Sequence, residues 1–325
     1  MGMRLSPARA CLAALLVAVP VGGCAGADGT AGGEAARRRD TPRATGPSGT
    51  PPGDRGPGAA PSPAPPAPPA ADTALARKPS ALAAELARTT DRLNAAIDAW
   101  TANPRRAAGA PPAELTLWAL HHQRIYRLLA REEGLAERTL ERLPDDRAEE
   151  ARDHITAVRE ILDLAEPVSV AKARKMRTQD PPPAGTLRRH MRDAERRFDV
   201  DWELLAAIMH VETKFGRVKS ASSTGAQGPM QFMPPTWQAY GRGGDVHDPR
   251  DAILGAANYL KASGAPGDVK RAVFAYNHDD RYVRSVLAHT RRIKADPRAY
   301  YTYYNWQVFA LTDKGDLRLT GPRGD

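Results

Sequence analysis

Residues 206–237 read A-A-I-M-H-V-E-T-K-F-G-R-V-K-S-A-S-S-T-G-A-Q-G-P-M-Q-F-M-P-P-T-W. The first part has helical spacing. Leu205, Ile208, Glu212 and Phe215 fall at i, i+3, i+7 and i+10 and share one face. Three of them are apolar, and the fourth is a carboxylate inside the stripe a helix would bury. Burying an ionised carboxylate is costly, so such a group holds its proton and its pKa rises. A carboxyl kept neutral near neutral pH can donate a proton. The competing reading is a rim glutamate that reaches water. Gly216 is the expected left-handed cap of this helix. A Gly- and Ser-rich loop follows, and then G-P-M-Q-F-M-P-P-T-W mixes amide, thioether and aromatic groups. Such a mixture suits the wall of a site for a polar ligand with apolar faces.

Three motifs stand in order: E-T-K-F-G at 212–216, S-x-x-G-A-x-G-P-M-Q-F-M-P at 222–234, and Ala275-Tyr276-Asn277. Together they resemble the signature of lytic transglycosylases with the soluble-lytic-transglycosylase, or goose-lysozyme-like, fold. The stretch Y-G-x-G-G-D-x-x-D-P-R-D-A-I-x-G-A-A-N-Y-L from Tyr240 is similar to their membrane-bound B-type branch. The likeness covers residues 185–290, about a third of the chain. It implies cleavage of the β-1,4 bond between N-acetylmuramic acid and N-acetylglucosamine in peptidoglycan, without water. It implies Glu212 as the acid and then the base, with a 1,6-anhydro ring as product. Ser222, Gln231, Met233, Tyr276 and Asn277 match positions that hold the glycan or orient the glutamate, and the Tyr276 hydroxyl is expected to bond the carboxyl. The resemblance implies no cofactor, no metal and no nucleic-acid partner. Thr213 stands where Ser is commoner, and Pro229 where Leu is.

Glycosidic cleavage otherwise takes two carboxylates, about 5–5.5 Å apart for retention and about 6.5–9.5 Å for inversion. No second acid lies in Ser222–Trp237 or Ala275–Asn277. An intramolecular nucleophile accounts for a single acid. The rivals are a hydrolytic muramidase with Asp245 or Asp248 holding a water, and a catalytically silent wall-binding scaffold.

The 325 residues carry 47 basic and 38 acidic side chains, a net charge of +9. That balance suits an anionic envelope or polymer, and an arginine-rich coding bias produces it equally well. Only Cys11 and Cys24 are present, so the body of the chain has no disulfide and no thiol chemistry. Residues 1–23 read as an export signal: Arg4 and Arg9 precede an apolar run from Cys11 to Val19, too short to span a bilayer. Val21-Gly22-Gly23-Cys24 resembles a lipobox, which implies lipidation at Cys24 and a membrane-anchored, wall-facing enzyme; plain secretion is the alternative. Residues 24–79 read as a tether, with 11 prolines among the thirty residues Thr41–Ala70. Fully extended it reaches on the order of 150 Å.

The fold class expected is mainly α: a helical hairpin or bundle over 80–178, a lysozyme-like helical catalytic domain over 184–296, and a 297–325 tail forming a small β-hairpin. Ser80 and Asp145 or Asp146 are the expected caps of two helices in the first region, and Gly134 the expected break in another. That region carries no visible chemistry and is open to docking an unknown protein partner. His121-His122 point about 100° apart on a helix, which does not make a metal site. In the second region Asp201, Asp248 and Asp268 are expected caps, Arg281–Ile293 is expected as the last helix, and Asp245, His247, Asp248 and Asp251 do not have the spacing of an EF-hand. The late aromatics, Tyr300 to Phe309, are expected to pack a hairpin onto the helices rather than stack on sugars.

Overall fold

The computed structural model describes residues 66–103 and 109–322; the leader, Cys24 and most of the expected tether lie outside them. In chain order the elements are α1 (Pro79–Thr101), α2 (Ala113–Arg131), α3 (Glu133–Leu140), α4 (Asp145–Leu164), α5 (Val170–Arg174), α6 (Ala184–Phe198) and α7 (Trp202–Thr213). Then come α8 (Pro234–Tyr240), α9 (Pro249–Ser263), α10 (Val269–Tyr276), α11 (Asp280–Ala295), α12 (Arg298–Asn305), β1 (Phe309–Thr312) and β2 (Gly315–Arg318). The fold is mainly α and lysozyme-like, with one antiparallel hairpin. No helix among the described residues is long and apolar enough to cross a membrane.

Helix α7 sits at the centre. Every residue from Leu204 to Thr213 is buried, so the helix is enclosed on all sides rather than striped on one. It packs against α6, α9, α11 and α12. Its end differs from the expectation. The helix stops at Thr213, and Lys214, Phe215 and Gly216 all take left-handed backbone angles, with φ of 52°, 60° and 83°. Two bulky residues there cost roughly 1–2 kcal/mol each. The Phe215 amide reaches back six residues to Met209 O at 3.2 Å, which helps satisfy the last carbonyls of the helix. The Phe215 ring, fully buried, meets Tyr300 and Tyr304 edge-on or tilted. Tertiary packing, not a glycine cap, therefore sets this turn.

Several helix starts also differ. Pro79 takes the first position of α1, so Ser80 lies inside the helix and does not cap it. Asp145 and Asp146 occupy the first turn of α4 behind Pro144, where they favour the helix dipole without a capping bond. Asp201 precedes α7 but pairs with Lys294; the Trp202 amide donates instead to Glu195 Oε1 at 3.1 Å. The α2–α3 break falls at Glu132, two residues before Gly134. Asp248 and Asp268 cap α9 and α10 as expected.

The chain after α11 also forms a helix, α12, before the hairpin. Its tyrosines turn inward: Tyr300 and Tyr304 donate to Ala184 O and Pro182 O at 2.7 and 3.0 Å, and Tyr303 bonds His154 Nδ1 at 3.1 Å. In the hairpin Phe309 faces Arg318 and Thr312 faces Gly315. Gln123 on α2 clamps the start of the hairpin segment through both sides of its amide, to Gln307 N at 2.7 Å and Gln307 O at 2.9 Å.

One packing relation positions the site. Helices α4 and α11 run along each other. Ser285, fully buried, donates to Ala157 O at 2.7 Å. Arg284 pairs with Glu160 and Arg291 with Asp153 along the rim. The 145–164 helix thus backs α11, the helix that carries Tyr282.

Candidate active site

Glu212 lies in the last turn of α7 and is 4% exposed. Its Oε1 accepts a hydrogen bond from the Tyr282 hydroxyl at 2.7 Å. Burial raises the carboxyl pKa to about 7, against the opposing pull of the Tyr282 bond and of Lys214. The proton is thus held by dehydration, and the tyrosine fixes the rotamer of the acid. Lys214 is brought down to about 7 by burial, with Arg127 adding to the shift and Glu212 opposing it. Its ammonium donates to His210 O at 2.9 Å. Lys214 and Arg127 line a cavity of about 30 Å³ with His210, His289 and Trp306.

Hydrogen bonds tie the three motifs into one unit. Thr213, next to Glu212, donates its hydroxyl to Pro229 O at 2.6 Å and accepts the Gly216 amide at 2.9 Å. The Thr found where Ser is commoner uses the shared hydroxyl for this tie. Tyr276 donates to Met230 O at 2.7 Å. The 228–231 turn is therefore pinned from α7 on one side and from α10 on the other. Gly228 is needed there twice over: its φ is +73°, and a Cβ would sit 1.9 Å from Val246 O. An antiparallel bridge between Gln227 and Phe232 closes the turn.

Gln231 is buried, sits at φ 50°, and donates Nε2 to Gly228 O at 2.9 Å. Its Oε1 is buried with no hydrogen-bond partner among the described residues. An unmet amide oxygen costs about 1–3 kcal/mol, which a donor on a ligand relieves. Ser222 is buried as well, but its Oγ accepts the Ala226 and Thr224 amides at 2.8 and 3.2 Å. That hydroxyl builds the loop. Met233 is half-buried at the start of α8, its sulfur 4.0 Å from the Thr224 hydroxyl. Asn277 is buried at the end of α10, where the backbone turns extended.

One expectation is corrected. The tyrosine on the carboxyl is Tyr282, whereas Tyr276 serves the 228–231 turn. Tyr282 had a signal in the sequence: with Val286, His289 and Ile293 it forms an inward stripe of α11. The acidic 245–251 stretch is occupied by its own backbone. Asp245 Oδ1 accepts the His247 amide at 2.8 Å, Asp251 Oδ2 the Asp245 amide at 3.1 Å, and Asp248 caps α9. In another acidic group, Glu195, Asp201 and Glu203, Arg192 and the Trp202 amide hold Glu195 and Lys294 holds Asp201.

Comparison with known proteins agrees with this geometry. Residues 189–297 match the family described as Transglycosylase SLT domain. This stretch is similar to an SLT domain. It contains Glu212, the 222–234 loop, Tyr276 and Tyr282. The chain is also 38% identical over 74 residues to the membrane-bound lytic murein transglycosylase F of Thiobacillus denitrificans (strain ATCC 25259 / T1), across 23% of this chain and 15% of that protein. The alignment thus spans well under a fifth of the relative's length. No solved structure matches. Helices α1 to α5, helix α12 and the hairpin lie outside the SLT domain match.

Proposed function

We propose that the chain is a peptidoglycan lytic transglycosylase that uses Glu212 alone as acid and base. The observation that carries this is the surroundings of the carboxyl. It is dehydrated, near half-protonated at neutral pH, and moved only by a phenol and an ammonium, neither of them a second acid. The SLT domain and the murein transglycosylase relative support the same reaction class.

In the reaction, neutral Glu212 protonates the oxygen of the bond between N-acetylmuramic acid and N-acetylglucosamine as that bond breaks. The muramoyl C6 hydroxyl then attacks the anomeric carbon, and the Glu212 carboxylate takes its proton. The acid is restored and a 1,6-anhydro ring closes. Tyr282 stabilises the carboxylate between the two transfers, since its hydrogen bond favours the charged form. Gln231 Oε1 and Asn277 are suited to hold the glycan; Ser222 and Tyr276 shape the loop that presents them, with Met233 as an apolar wall. The hydrolytic alternative needs a free carboxylate for water. Asp245 and Asp248 are instead engaged with backbone amides.

The enzyme is read as facing the cell wall, with glycan strands as its partner and Cys24 as its lipid anchor. Mass spectrometry of digested peptidoglycan tests the chemistry. Products lighter by one water than reducing ends are expected, and reducing ends alone would show a hydrolase. Palmitate labelling of the full chain, lost in Cys24→Ala, tests the anchor.

A further inference from the structure

A second cavity lies outside the SLT domain match. It encloses about 550 Å³ between the strap that precedes α1, the C-terminal half of α2, and the hairpin. Five arginines line it, Arg77, Arg124, Arg127, Arg131 and Arg318, against three carboxylates, Asp72, Glu132 and Asp316. Leu75, Leu128, Leu317 and Phe309 supply the apolar wall.

The charges do not cancel. Arg127 and Arg131 both bond the one carboxylate of Asp316, Arg127 through Nε at 2.7 Å and Arg131 through Nη1 at 2.8 Å. Arg77 pairs with Glu132, and Arg318 stands 3.5 Å from Asp72. Arg124 donates to Thr73 O at 2.7 Å, a neutral acceptor. Two positive charges are therefore left over. The arrangement is also built rather than incidental. Arg127 is only 8% exposed and its guanidinium carbon lies over the Phe309 ring, 4.8 Å from the centroid. Burial draws the Arg124 guanidinium below its ordinary value; Arg318 adds to this, and Asp72 and Glu85 work against it. An anion would relieve this crowding of like charge.

We propose that this cavity is an accessory binding site for a small organic oxyanion, a carboxylate or phosphate group on a short apolar body. Planar guanidinium groups with N–H bonds to spare recognise both oxyanions by paired hydrogen bonds. The leucines and Phe309 take the apolar part. A cationic ligand would meet the arginine excess, and a purely apolar one would leave the guanidinium groups dehydrated.

Calorimetry on the full chain at low ionic strength tests this, with N-acetyl-dialanine as the carboxylate probe, glycerol 3-phosphate as the phosphate probe and glycerol as the uncharged control. Saturable binding of at least one anion and none of glycerol is expected, and the tighter probe names the source. Arg124→Gln and Arg131→Gln should each weaken binding about tenfold or more, while circular dichroism melts confirm folding. Glu132→Gln removes an exposed carboxylate from the rim and should tighten binding. The proposal is overturned if neither anion saturates, or if the two arginine variants bind as the parent does. The heat is read without glycan cleavage, so the result stands apart from the assignment of Glu212.

Discussion

Glu212 and His210 are two residues apart on one helix and equally buried, yet burial does opposite things to them. At Glu212 dehydration removes a negative charge and leaves an acid that titrates at about 7. At His210 it removes a positive charge and pushes the ring well below its ordinary range. His210 packs with His289, Tyr303 and Trp306 at ring distances of 4.7, 4.9 and 5.6 Å, and Trp306 reaches on to His122 and His154. These imidazoles pack as flat core pieces. Glu212 has a hydroxyl aimed at it and a loop pinned in front of it. Burial alone therefore does not make a proton donor. The shift must bring the group into the working pH range, and a partner must hold the charged form when it appears.

The comparison breaks most visibly at Glu212 itself. Glu212→Gln should reduce glycan cleavage by about 10²–10⁴-fold while binding to insoluble wall persists. The same variant should be more stable than the parent above pH 7, by on the order of 3 kcal/mol, and no more stable below pH 4.5. The reason is that the folded carboxyl keeps its proton up to about 7 while the unfolded one loses it near 4.5. Urea titrations at the two pH values check the sign. Tyr282→Phe comes next. Losing the bond that favours the carboxylate should cut the rate about tenfold. It should also move the alkaline limb of the pH–rate profile upward, because that bond lowers the Glu212 pKa.

The histidine side has its own test. The unfolded chain protonates near 6.5, whereas folded His122 titrates at about 3. Stability should fall as the pH drops below 6.5, by up to about 1.4 kcal/mol per pH unit for each buried neutral ring. Glu150, held at about 2 by His154 in spite of burial, adds to the loss below 4.5. His122→Phe should flatten the acid slope without touching the pH–rate profile. The smallest effect is expected at Lys214. Lys214→Met removes a charge that lowers the Glu212 pKa, so the alkaline limb should rise by less than in Tyr282→Phe.

How much of this could be read in the sequence depends on how local each signal is. Asp248 before Pro249 is complete within four residues, and the cap formed as expected. The buried carboxylate was visible as an apolar stripe interrupted at Glu212. The turn at Lys214 and Phe215 was not, because the left-handed Phe215 is packed by tyrosines 85 or more residues away. The aromatic run after 297 likewise turned helical because its hydroxyls find carbonyls at 182 and 184. Tyr276 was expected on the acid because it sits in a motif. Tyr282 lies in a charged stretch, D-D-R-Y-V-R, whose inward face shows only when read at helical spacing over the following dozen residues.

The clasp between α4 and α11 bears on how this protein is made. A truncation beginning at residue 184 would keep all three motifs and still strip the backing from the helix that carries Tyr282. The fully buried Ser285 hydroxyl would lose its acceptor at Ala157. Such a fragment should leave the ribosome aggregation-prone, with its acid present but wrongly aimed, so expression trials belong with the chain from Pro68 onward.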